Sequence, residues 1–191
     1  MSVREEAVDA YREALPALSA SLVGGLLAGV VLGGMRAELG GVEGLLVLVP
    51  ALLATRGNVY GSLGARIATA LHQGFVEPSV GLADERLRAA VAASLANGLL
   101  ASLFAATAVF AVLTLLGGSP SLPSLLGIAF VAGLLSGVAL TVVVISVVFA
   151  GYRRGYDPDT LVGPLVTTTG DVFGVLFLLI AVRIVVGLGG G

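Results

Sequence analysis

The sequence has no cysteine, no tryptophan and no lysine, and a single histidine. Without cysteine there is no disulfide framework, no thiolate metal site and no thiol nucleophile. One histidine excludes a multi-histidine metal centre within one chain. The missing lysine leaves all ten basic residues as arginine, against twelve acidic ones. That balance offers no polybasic patch for the phosphates of a nucleic acid. Charge of either sign is scarce, at 12% of 191 residues, where an ordinary soluble domain carries about 25%. Such a chain cannot coat a water-facing globule, which excludes a soluble enzyme, a disordered tail and a nucleic-acid-binding module. No H-E-x-x-H, G-x-S-x-G or P-loop is present, so no enzyme constellation emerges. What the chain has in quantity is apolar surface: 57% hydrophobic residues and a mean hydropathy of +1.06. The fold class that follows is an all-α, polytopic membrane protein in contact with lipid.

Residues 1–15 read as a short amphipathic helix at the membrane surface. Ser2 and Glu5 suit a capping box, and Val3, Ala7, Tyr11 and Leu15 share one face. Residues 16–191 read as one transmembrane domain. A spanning helix needs ~20 mostly apolar residues, and five candidate spans meet or approach that length. They lie near 16–35 after Pro16, from Val42 onward, and near 88–116, 122–150 and 160–187. The second span is irregular, because its apolar run stops after ~14 residues. Pro50 lies inside it, and Thr55, Arg56, Gly57 and Asn58 follow. The pattern predicts a broken second helix whose polar break lies at or near membrane depth, a backbone tolerated only beside protein or a water-filled cavity. Glycines spaced four apart, at Gly25, Gly29 and Gly33, at Gly133 and Gly137, and at Gly170 and Gly174, predict closely packed helices.

Arginine placement gives the orientation. With the N-terminus in the cytoplasm, Arg4, Arg12, Arg56, Arg66, Arg86, Arg88, Arg153 and Arg154 fall inside, and only Arg36 and Arg183 outside. This positive-inside bias predicts a cytoplasmic N-terminus, an external C-terminus and one insertion mode in the plasma membrane. The uncharged 117–123 connection suits the outer side.

Asp171 is the sharpest chemical signal. It lies ~16 Å into the fifth span, near the bilayer centre. An ionisable group there costs ~3 kcal/mol on insertion scales and faces a cavity or a partner. Pro164, Thr167, Thr168, Gly174, Val175 and Leu178 share its face at helical spacing. Hydroxyls and a small residue around a carboxylate suit a hydrated cation. Without thiols or clustered histidines, copper, zinc and iron are disfavoured. Mg²⁺ keeps its waters and binds through one or two carboxylates, whereas Ca²⁺ needs six to eight oxygens. One aspartate per chain suffices for neither unless two chains face each other, and Na⁺ or H⁺ remain open on this chemistry. The Pro50–Gly64 stretch is a second candidate: Pro50 frees a carbonyl, Gly57 exposes backbone and Asn58 adds an amide oxygen. Asp157 and Asp159 read as caps of the fifth span, Asn97 as interhelical glue and His72 as an interfacial residue.

Two stretches then resemble a known family. PALLATRGNVYGSLGARIATA, Pro50 to Ala70, is similar to the second-helix motif of MgtE-type magnesium transporters and their eukaryotic solute-carrier relatives. DPDTLVGPLVTTTGDVFGVLFL, Asp157 to Leu178, is similar to their fifth helix. The resemblance implies a dimeric channel with its pore on the two-fold axis, in which Asp171 from both subunits binds hydrated Mg²⁺, the transported ion. It implies Thr167 beside that site and Gly174, Gly163, Thr168, Pro50, Gly57 and Asn58 as pore lining. Where the family often has asparagine two turns before the aspartate, this chain has Gly163, and polarity shifts to Thr167. The chain leaves no room for the N and CBS sensor domains of typical bacterial members. It resembles compact archaeal relatives that comprise the membrane unit alone, so the partner is a second copy or a paralogous half. The reading is a channel for Mg²⁺ or a similar divalent cation. The alternatives are an Na⁺- or H⁺-coupled secondary transporter and a non-transporting membrane scaffold.

Overall fold

A computed structural model describes residues 3–77, 84–155 and 158–189. These form six helices: α1 (Val3–Gly34), α2 (Arg36–Gly41), α3 (Leu45–His72), α4 (Glu85–Leu115), α5 (Leu122–Arg153) and α6 (Pro158–Gly187). Among the described residues there is no strand. Four segments are long and apolar enough to cross a membrane: α3, α4, α5 and Val166–Gly187 of α6. The apolar part of α1, Leu18–Gly34, where the first of the five spans was expected, is shorter and is not among these four. In hydrocarbon every backbone N–H must find a carbonyl within the protein, so uninterrupted helix is the form these sequences take.

Side-chain contacts fix an up-and-down arrangement. At one end, the Glu43 carboxylate ahead of α3 accepts from the Ser119 N–H between α4 and α5 at 3.2 and 3.3 Å. At that same end Arg183, late in α6, pairs with Glu38 of α2 at 3.1 Å. A backbone bond and the Arg183 guanidinium hold the Glu38 carboxyl below its ordinary range. At the opposite end the His72 and Tyr152 rings meet edge to face at 5.7 Å, and Tyr152 Oη donates to the Leu71 carbonyl. Asp84 caps α4 by accepting from the Arg86 and Leu87 N–H groups, and Ser121 caps α5 with Pro123 in its first turn. Gly44 starts α3 at φ +91°, and a Cβ there would meet Leu113 Cδ1 at 2.9 Å. Only glycine satisfies both demands.

The second span corrects the expected break. α3 is continuous through Pro50 and through Thr55–Asn58. Proline and glycine cost an isolated helix about 3 and 1 kcal/mol. Here Leu48, Leu52, Tyr60, Leu63 and Ile67 are all sunk into the bundle along the same helix, and that packing carries the backbone across. The polar groups at membrane depth are therefore side chains rather than opened backbone. α1 runs unbroken through Pro16, so the segments expected as 1–15 and from 16 onward belong to one helix. Tyr11 and Leu15, expected on its surface-lying face, are exposed, and they continue into exposed Leu18, Leu22 and Leu26. The capping residues expected at Ser2, Asp157 and Asp159 lie outside the described residues and side chains. Asn97 is exposed on α4 rather than lodged between helices of the chain.

Glycine spacing was a partial guide to packing. Gly133 and Gly137 of α5 are buried where α4 and α3 approach, and a Cβ on Gly133 would lie 3.0 Å from Ser102 Oγ. The Tyr60 hydroxyl of α3 fills the notch made by Gly98 of α4 and Gly137 of α5. On α1, by contrast, it is Gly24 that meets α6, through the Thr168 methyl, while Gly25, Gly29 and Gly33 face open space. Gly137→Val is expected to lower the stability of detergent-solubilised protein by about 1–3 kcal/mol, through collision with Tyr60. Gly29→Ala is expected to change it by no more than about 0.5 kcal/mol. Thermal melts of the two variants check the contrast.

Candidate functional site

Asp171 stands near the middle of α6, about 20 Å along the helix from Pro158. Among the described residues, the other carboxylates lie in the first half of α1, in α2, or at helix ends and connections. Asp171 is half-buried, and its position on α6 marks a border. Thr167 and Gly163, one and two turns toward the helix start, are exposed. Gly174, Val175 and Leu178, toward the helix end, are buried. The reason is the crossing of α3 over α6 at Gly174, where Leu53 and Arg56 lie against the glycine. Asp171 thus sits where an open face of α6 runs under a neighbouring helix.

The expected site residues separate into three groups. Asp171, Thr167 and Gly163 share the open side. The Thr167 hydroxyl donates to the Gly163 carbonyl at 2.8 Å, which satisfies its proton and leaves oxygen lone pairs for a hydrated ion. Thr168 turns the other way: its methyl meets Gly24 of α1, and its hydroxyl is buried with no hydrogen-bond partner among the described residues. It belongs to a groove of about 530 Å³ between α1 and α6 that Ser19, Val23, Val172 and Phe173 also line. The geometry therefore places Thr168 on the α1 side of α6, apart from the open face. Gly174 is buried and is the floor on which Arg56 rests. The Pro164 side chain lies outside the description.

On α3, Pro50, Ala54, Asn58, Ser62, Ala65 and Thr69 are all exposed, and Gly57 is half-buried. Their spacing places them on one face. A groove of about 350 Å³ lined by Ser62, Ala65, Arg66, Thr69, Ala70 and Gln73 extends that face toward the helix end. Small and polar residues exposed along a transmembrane helix are poor lipid contacts; they suit water or another protein surface.

Arg56 was expected in a polar break near membrane depth and was also counted as a cytoplasmic charge, and no role was assigned to it. It lies near the middle of the continuous α3 and is only 3% exposed. Among the described residues its Nε, Nη1 and Nη2 have no hydrogen-bond partner. The available signal was its distance from both helix ends, which the expected break in the second span concealed. Among the described residues no three metal-ligating side chains cluster, so the described part of one chain forms no cage for a bare divalent ion.

A family model described as MgtE, divalent cation transporter, matches residues 49–181, more than half of the chain, from the start of the open α3 face to beyond Asp171. No curated protein matches.

A Cβ at residue 174 would lie 2.7 Å from both Arg56 Nη1 and Leu53 Cδ2, whereas among the described residues no atom lies within 4 Å of a Cβ at residue 163. Gly174→Ala is therefore expected to destabilise the protein by about 1–3 kcal/mol and Gly163→Ala by less than about 1 kcal/mol, as read by thermal melts.

Proposed function

The chain belongs to the MgtE family of divalent cation transporters, and from that premise we propose that two copies pair as a channel that conducts Mg²⁺ inward. The observation that carries this reading is Asp171, a lone half-buried carboxylate at mid-helix beside an open face of small and polar residues. One carboxylate holds a hydrated divalent ion weakly. Two, brought to the same level by a two-fold axis, neutralise its charge while it retains its waters. Pairing through the open faces of α3 and α6 would give Pro50, Gly57, Asn58, Gly163 and Thr167 a wet interior instead of lipid.

Arginine placement supports an inward path in the plasma membrane. With Arg56 removed from the count, seven of the remaining arginines fall on the side of the N-terminus and two on the other. A cytoplasm-negative potential then drives a divalent ion toward the arginine-rich side. One charge gains ~2.3 kcal/mol per 100 mV, so Mg²⁺ gains about twice that, and no coupled ion is needed.

Two measurements test the reading. In proteoliposomes with an inside-negative potential, the wild type is expected to take up Mg²⁺ and Asp171→Ala to lose at least 90% of that flux. Equal uptake by the two proteins, or a rate that follows an Na⁺ or H⁺ gradient at fixed voltage, would contradict it. Because the chain has no native cysteine, Asn58→Cys supplies a single thiol, and oxidation in membranes is expected to yield a covalent dimer. Leu100→Cys, on the exposed outer side of α4, is expected to remain monomeric.

A further inference from the structure

Arg56 poses a problem that the reading so far does not solve. A guanidinium stays charged in any protein environment. Buried without a partner, it is among the least favourable arrangements a membrane protein can hold. The carboxylates at the bundle's ends and in its connections lie far from mid-helix. Asp171 is the exception. It is nearly one turn, about 4.5 Å of rise, from Gly174, and Gly174 is the residue on which the Arg56 guanidinium rests. No ion pair joins the two in this structure among the described residues. The glycine provides a seat for the guanidinium close to the carboxylate without binding it there. A Cβ would remove that seat, because it would lie 2.7 Å from Nη1.

We infer that Arg56 is the tethered counter-cation of Asp171: its guanidinium pairs with the carboxylate when the site is empty and withdraws to the Gly174 seat when a divalent cation arrives. This rests on Asp171 being the ion site. It gives Arg56 the role of a positioning and selectivity residue. A monovalent ion that displaced the guanidinium would exchange one positive charge for another and gain little. One divalent ion shared by two chains satisfies both carboxylates at once, so the internal competitor penalises Na⁺ and K⁺ more than Mg²⁺. The same competition weakens Mg²⁺ binding, which a conducting site requires if the ion is to leave.

The test has two arms on purified protein in nanodiscs and proteoliposomes. The first needs no transport. In Mg²⁺-free buffer, melting temperatures are measured for wild type, Arg56→Gln, Asp171→Asn and the double variant. The inference expects strong coupling: Asp171→Asn strands the arginine and lowers the melting temperature, and adding Arg56→Gln restores part of the loss. Shifts that simply add overturn the pairing. The second arm is uptake against Mg²⁺ concentration. Arg56→Gln is expected to lower the half-saturating Mg²⁺ about tenfold and to admit Na⁺, while Arg56→Lys, which keeps the charge, stays within about threefold of wild type. An unchanged half-saturation in Arg56→Gln overturns the displacement even where the melts show coupling. If Arg56→Gln does not fold, Arg56→Met, which also removes the charge, takes its place in the melting cycle with Asp171→Asn, and additive shifts again overturn the pairing. A wild type that carries no Mg²⁺ refutes the transport reading, and the melting arm still decides the pairing.

Discussion

Opposite charges at mid-membrane, on two helices that cross, set the terms for the rest of this bundle. Asp171 on α6 and Arg56 on α3 each carry a desolvation cost that lipid cannot offset. The backbone therefore leaves no additional polar group exposed at that level, and both helices run unbroken through it. They must also approach closely. Gly174 permits this on α6, and the Tyr60 hydroxyl, set between Gly98 and Gly137, ties the other face of α3 to α4 and α5. The apolar residues around these contacts, among them Leu52, Leu63, Leu140 and Leu178, are sealed from the surroundings and hold the crossing rigid.

The same constraint explains why one chain looks incomplete. A bundle facing lipid on all sides presents apolar residues, as α4 does with Leu100 and Phe104. The open side of α3 and α6 presents Asn58, Ser62, Thr69 and Thr167 instead. A proposed two-fold partner covers that side and doubles the carboxylate. In the proposed dimer, ion affinity, selectivity and assembly are then one problem: each chain bears the insertion cost of a single aspartate, and the divalent site would form only where two chains meet.

Much of this was legible in the residues, for physical reasons that can be named. Asp171 stood out because an acidic residue inside a long apolar run has few innocent explanations. The helical class and the family followed from hydropathy and from the Pro50–Ala70 and Asp157–Leu178 stretches. The continuity of α3 was not legible, because proline and glycine propensities are local and the packing of Leu48, Leu52 and Leu63 that overrides them is not. Arg56 was misread for a related reason: a topology rule counts every arginine as a loop charge, and an assumed break supplied the loop. Gly24 and Thr168 show the limit of spacing arguments. A four-residue repeat locates a glycine face, but which of two adjacent glycines meets a neighbour depends on the rotation of the helix, and that is set by tertiary contact.

The central claim is that one divalent ion is shared between two copies of Asp171. The most direct measurement is the stoichiometry of Mn²⁺, as a paramagnetic substitute for Mg²⁺, bound to protein in nanodiscs and counted by electron paramagnetic resonance. The account predicts one competable Mn²⁺ for every two chains, lost in Asp171→Asn. One ion for each chain, or binding that survives Asp171→Asn, would contradict it.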